Sequence, residues 1–165
     1  MIVADAGPLI AFARIGRLAL LQQVVGTLVV PDAVYDDVVV KGRGKPGADA
    51  IEQSPWIRRQ AMQDRDAVAH FPPVLEQGER EAIVLAGELG ATLLMDDHHA
   101  RVAAEERGIE VVGVLWVLGE AKRRTLVSEV RPIVDELRAV GYRLHPERVI
   151  RPFLEEMGEV EQLEA

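Results

Sequence analysis

Hydrophobic residues along this chain cluster in short, unbroken runs separated by amphipathic stretches. IVA (residues 2–4), LVV (28–30), TLLM (92–95) and EVVG (110–113) are apolar without alternation, the pattern of strands covered by helices on both faces. LIAFARI, RLALLQQVV, GEREAIVLAGELG and HHARVAAEERG instead repeat their apolar positions at helical spacing. PDAVYDDVV opens another helix, with Pro31 in its first turn, where a missing N–H costs nothing. WIRRQ reads as an edge strand, KGRGKPG as a flexible basic loop and HFPP as a break. VLWVLGEAKRR, SEVRPIVDELRAVG and PERVIRPFLEEMG add three helical segments. Strand and helix alternate without repeats, so the expected class is α/β with a mostly parallel sheet of four or five strands and helices on both faces.

A length of 165 residues suggests one domain of ordinary size. We expect that domain over residues 1–140, followed by a helical extension or tail over 141–165, where acidic residues accumulate. The chain contains no cysteine, which removes disulfides, thiolate metal sites and cysteine nucleophiles. No apolar run reaches the ~18 residues of a membrane span. MIVADAGPLI lacks the marks of a secretory signal, so a cytoplasmic location is expected. The formal net charge of −8 argues against a protein that coats nucleic acid, though not against one that grips it locally.

The carboxylates bring in chemistry. In an open α/β sheet, ligands bind beyond the carboxyl ends of the strands. Asp5 ends the first strand, and Asp96 and Asp97 end a later one. An Asx turn or helix N-cap explains any one of them alone. At ~100° per residue, Ala82, Ile83 and Ala86 project within about 60° of Glu79, which places Glu79 on the apolar face of its helix. Capping of its own helix and lining of a pocket both account for that direction. Glu81 projects ~160° away, among solvent-type neighbours. Asp37 lies between Ala33, Val34 and Val40 and is favoured over Asp36 by a small margin, with an Asp37–Lys41 surface pair as the ordinary explanation. Carboxylates gathered in a small space must take up protons or a cation. Hard divalent ions with oxygen ligands, Mg²⁺ or Mn²⁺, are their natural partners.

IVADAGPLI, VPDAVYDDVV, GEREAIVLAGELGATLLMDDHHAR and GIEVVGVLWVLGEAK, in that order, resemble the PIN-domain family of metal-dependent ribonucleases. That family includes VapC-like toxins of toxin–antitoxin pairs. The pattern GExEAI…LLxDDxxAR…GxxVVGxxxVL is similar to one branch of it. The resemblance implies a three-layer α/β fold and a site where acids hold Mg²⁺ or Mn²⁺ and activate water against RNA. It places Asp5, Asp37, Glu79 and Asp97 in the four acidic positions, with Asp96 competing for the last. It also implies an RNA substrate, an antitoxin protein as partner and homodimers. Two departures stand out: Asp37 is one methylene shorter than the usual glutamate, and Ala6, Gly7 and Met95 occupy positions where relatives often carry hydroxyls. These departures motivate a rival reading, a PIN-like interaction module with little or no activity.

Other features carry less. His98 and His99 point ~100° apart in the first turn of a helix and read as exposed. Arg101 reads as a surface ion pair. Lys41, Arg43 and Lys45 offer a mobile basic loop able to touch phosphate. KGRGKPG lacks the Ser or Thr of a phosphate loop. ADAGPL lacks the second aspartate of haloacid-dehalogenase-like phosphatases, and no GxSxG or HExxH occurs.

Overall fold

The computed structural model describes residues 1–159. Five short strands, β1 (Ile2–Ala4), β2 (Leu28–Val30), β3 (Ile57–Arg59), β4 (Thr92–Leu94) and β5 (Val111–Val112), form one sheet in the order β3-β2-β1-β4-β5. Every pairing is parallel, with Val3 opposite Val29 on one side and Leu93 on the other. The expected α/β class with helices around a parallel sheet is therefore what the chain adopts.

The topology follows from the crossover rule. The chain runs outward from β1 to β2 and β3, then crosses to β4 and β5 on the far side. Right-handed connections in opposite directions put the intervening helices on opposite faces. α1 (Ala6–Arg14) and α2 (Leu18–Val25) link β1 to β2, while α5 (Gln77–Leu89) and α6 (His98–Glu106) flank β4. Val3, Ala4, Leu28, Val30, Leu93 and Leu94 are fully buried between these layers, which explains why the strands show no alternation.

α3 (Asp32–Tyr35) makes one α turn and then widens into a π turn over Asp36–Val40, where the Lys41 N–H reaches the Asp36 carbonyl at 2.8 Å. The segment expected as one regular helix is thus two geometries, and π turns of this kind often mark functional positions. A short α4 (Ala48–Glu52) and a 3₁₀ segment (Arg65–His70) were not evident from periodicity, being too short to show one.

α7 (Val114–Arg123), α8 (Arg131–Ala139) and α9 (Glu147–Glu156) complete the chain. Residues 141–159 dock on the domain. Ile150 and Leu154 of α9 are buried. The Glu159 carboxylate accepts the backbone N–H groups of Val130 and Arg131 and the Lys122 ammonium at 2.8–3.0 Å. Of the expected tail, residues 160–165 lie outside the described residues.

One expectation is overturned. Glu81, read as facing solvent, is buried. The start of α3 packs against that side of α5, so Glu81 accepts the Ala33 N–H at 3.1 Å and the Gln77 amide at 2.8 Å. A carboxylate so held caps a neighbouring helix rather than meeting water. Glu81→Ala leaves the Ala33 donor unsatisfied, and we expect a loss of about 1–3 kcal/mol in denaturant unfolding, with Glu81→Gln costing less.

Candidate active site

β1 is the point where strand order reverses, with β2 on one side and β4 on the other. The crevice beyond the carboxyl ends of two such strands is where this architecture binds ligands. Asp5 immediately follows β1, and its N–H continues the ladder to the Leu94 carbonyl at 3.0 Å. Asp96 and Asp97 follow β4. A cleft of about 410 Å³ opens there, lined by Asp5, Asp37, Glu76, Glu79, Asp96 and Asp97, with Arg143 as its arginine.

Each acid is held by local structure. Asp97 is the N-cap of α6, and its Oδ1 accepts the Ala100 N–H at 2.9 Å. Glu79 sits at N3 of α5 in a capping box with Glu76, accepting the Glu76 N–H at 3.2 Å. Capping and pocket lining, posed as alternatives for both residues, are satisfied together. In each, one carboxylate oxygen accepts the capping N–H while the residue lines the cleft. Asp37 lines the cleft and also makes the 3.1 Å pair with Lys41, whereas Asp36 turns outward to Arg59 at 3.8 Å. Gly78 makes this approach possible: a Cβ there would stand 3.2 Å from Asp37 Oδ2.

Asp96 has different surroundings from its neighbour. It accepts the Val114 N–H at 3.2 Å and the Tyr142 hydroxyl at 2.5 Å. Arg101 and His145 lie 3.8 and 3.7 Å away. Arg101, which also donates to the Met95 carbonyl at 3.1 Å, is committed inward and not aimed at the cleft. Gly113 leaves room for this cluster, since a Cβ there would meet Asp96 Oδ1 at 2.2 Å. His98 and His99 are exposed, in edge contact at 5.7 Å between ring centres, and His98 reaches the cleft rim. Tyr142, Arg143 and Glu76 were missed from sequence. Only Glu76 left a signal there, as the partner of Glu79 in an E-x-x-E helix start.

The acids feel one another. Burial pushes the Asp5 carboxyl up to about 6, and the Asp97, Glu76 and Asp37 charges push the same way against the Ala6 N–H. Burial likewise raises Glu79 to about 7, followed by the charge of Asp5 and, more weakly, those of Asp97 and Glu76. Among the described residues no three acidic or histidine side chains are grouped tightly enough to hold an ion without adjustment. The donor chemistry nevertheless fits a hard divalent cation. All donors are carboxylate oxygens, they repel one another, and a bound cation would let them ionise.

No helix among the described residues is long and apolar enough to cross a membrane. Among solved structures, the chain is similar to a PilT N-terminus domain protein from the hyperthermophilic archaeon Sulfolobus solfataricus P2. The match has 23% identity and a TM-score of 0.51, covering 73% of this chain and 93% of that one. At that identity the likeness speaks for the fold. No curated protein matches the sequence.

The raised carboxyls set a pH dependence. Their folded-state values lie above the ordinary 3.8 and 4.5, so the folded state holds more protons between those limits. The associated stability is complete below the ordinary values and is lost as pH climbs through about 6 and 7. Thermal melts in a chelator should therefore show a midpoint falling between pH 5 and 8. Asp5→Asn should flatten that fall and raise the midpoint at pH 8 by about 3 °C. A wild-type midpoint that rises over this range would contradict the electrostatic picture. A family model described as PIN domain matches residues 1–159, and the chain belongs to the PIN-domain family.

Proposed function

We propose that this protein is a metal-dependent endoribonuclease of the PIN type, acting in the cytoplasm as the toxin of a toxin–antitoxin pair. The observation that carries the reading is the gathering of Asp5, Asp37, Glu79 and Asp97 around one cleft at the sheet's switch point. These four acids would hold Mg²⁺ or Mn²⁺. Such an ion, when bound, supplies activation of a water and stabilisation of the leaving oxygen of a phosphodiester. The chain's own part is to place the ligands. The Ala100 N–H fixes the rotamer of Asp97, and the Glu76 N–H fixes that of Glu79. The missing side chain at Gly78, where a Cβ would crowd Asp37 Oδ2 at 3.2 Å, favours the approach of Asp37 from the π turn despite its short side chain. Because Asp5 and Glu79 hold their protons into the neutral range, ion uptake releases protons, and affinity for the ion should rise with pH. Asp96, the competing ligand, already accepts from Val114 and Tyr142, which favours Asp97 for that position.

RNA is the substrate in this reading, an antitoxin protein the regulator and a homodimer the working unit. The rival reading, a PIN-like interaction module of weak or no activity, draws support from the looseness of the acid group and from the absence of hydroxyls at Ala6, Gly7 and Met95.

Cleavage of single-stranded RNA in Mn²⁺ separates the two. We expect Asp5→Asn and Asp97→Asn each to lower the rate at least about a hundredfold, the usual scale for losing an electrostatic contribution at a reacting centre. Asp36→Asn, at a residue that does not line the cleft, should act like wild type. Full activity in the Asp5 and Asp97 variants would sink the assignment. Calorimetric titration with no Mn²⁺ binding by the wild-type chain would favour the interaction module.

A further inference from the structure

The wall facing the acids is built by the chain after α8. Gly141, at φ 80°, turns the backbone over the carboxyl ends of β1 and β4, and Tyr142 and Arg143 then line the cleft. Two anchors bracket Arg143 in sequence, and both fasten to Asp96. The Tyr142 hydroxyl donates to Oδ2 at 2.5 Å, and His145 Nε2 stands 3.7 Å from Oδ1. The Tyr142 ring also lies against the start of α1, 3.8 Å from where a Cβ on Gly7 would sit.

Between these anchors the Arg143 side chain is exposed and makes no hydrogen bond or ion pair within the described residues. Its neighbours differ. Lys41 pairs with Asp37, and Arg101 is drawn to Asp96 and the Met95 carbonyl. A cleft of six acids repels a polyanion, so a nucleic-acid backbone needs a cation at the rim to enter it. A guanidinium is suited to this, because its planar fork matches two phosphate oxygens while its charge stays fixed.

We propose that Arg143 is a substrate-binding residue that clasps a backbone phosphate of the nucleic acid beside the acid cleft, with Tyr142 and Asp96 as the positioning pair that holds it there. This inference rests on the reading of the cleft as a nuclease site. It gives the segment after α8 a role at the site, and gives Asp96 a task distinct from that of Asp97.

The test is fluorescence anisotropy of a short end-labelled single-stranded RNA with the full chain, in Ca²⁺, across a salt series. Arg143→Ala should weaken binding about tenfold, the scale of a lost charged hydrogen bond. It should also make the log–log salt dependence shallower by about 0.7, the value for one phosphate contact on a single strand. Arg143→Lys should recover most of the salt slope and part of the affinity, since it keeps the charge and loses the fork. Tyr142→Phe should weaken binding by about threefold, without the full change in slope, because the arginine is retained but less well held. Thermal midpoints of the Arg143 variants, an exposed position, report whether folding is intact. Equal affinity and equal slope in wild type and Arg143→Ala overturn the assignment. If Asp5→Asn still abolishes Mn²⁺-dependent cleavage in that case, the nuclease reading stands and only Arg143 falls. A wild-type chain that fails to bind RNA under these conditions overturns both.

Discussion

Mutual repulsion among carboxylates is the constraint around which this molecule is organised. Parallel strands must be joined by crossovers, and the reversal of strand order at β1 leaves a crevice at one edge of the sheet. Into that crevice the chain sends Asp5 from β1, Asp97 from the end of β4, Glu79 from the first turn of α5 and Asp37 from the π turn. Water would keep such groups apart. Here the backbone holds them, through the Ala100 and Glu76 amides and the ladder bond of Asp5, and burial, reinforced by the neighbouring charges, keeps protons on Asp5 and Glu79 well above the ordinary range. The rest of the fold serves as the frame that resists this repulsion.

The pair Asp96–Asp97 shows how adjacent identical residues are given different work. In extended chain, successive side chains point in opposite directions. One member therefore faces the cleft from the N-cap of α6. The other also lines the cleft but is engaged by the Val114 amide and the Tyr142 hydroxyl. Gly113 belongs to this arrangement as much as the aspartate does, since no side chain fits against Asp96 at that point. Asp96 thereby ties three distant parts of the chain together at the cleft wall: the end of β4, the start of α7 and the turn after α8.

Much of this was legible in sequence, and the parts that were not share a cause. Unbroken apolar runs gave the buried strands, and strand ends gave Asp5, Asp96 and Asp97 as edge residues, because both depend only on local pattern. The helical direction of Glu79 was also readable, since α5 is regular over thirteen residues. The wheel failed for Glu81 because it cannot tell solvent from a neighbouring helix, and α3 lies where water was assumed. It was fragile for Asp37, where a π turn changes the angle per residue. Tyr142 and Arg143 were invisible because a turn has no period, and what matters there is which distant residue the turn lands on.

The order in which the chain is made gives the central position of β1 a further consequence. Asp5 precedes in sequence every acid that completes its surroundings, and its neighbouring strand β4 and Asp97 come much later. The turn carrying Tyr142 comes later still. A chain made only as far as β3 therefore holds Asp5 and Asp37 without Glu79, Asp97 and Tyr142, and the cleft assembles only when β4 and the turn after α8 reach β1. The topology therefore delays completion of the cleft until the turn after α8 has been made.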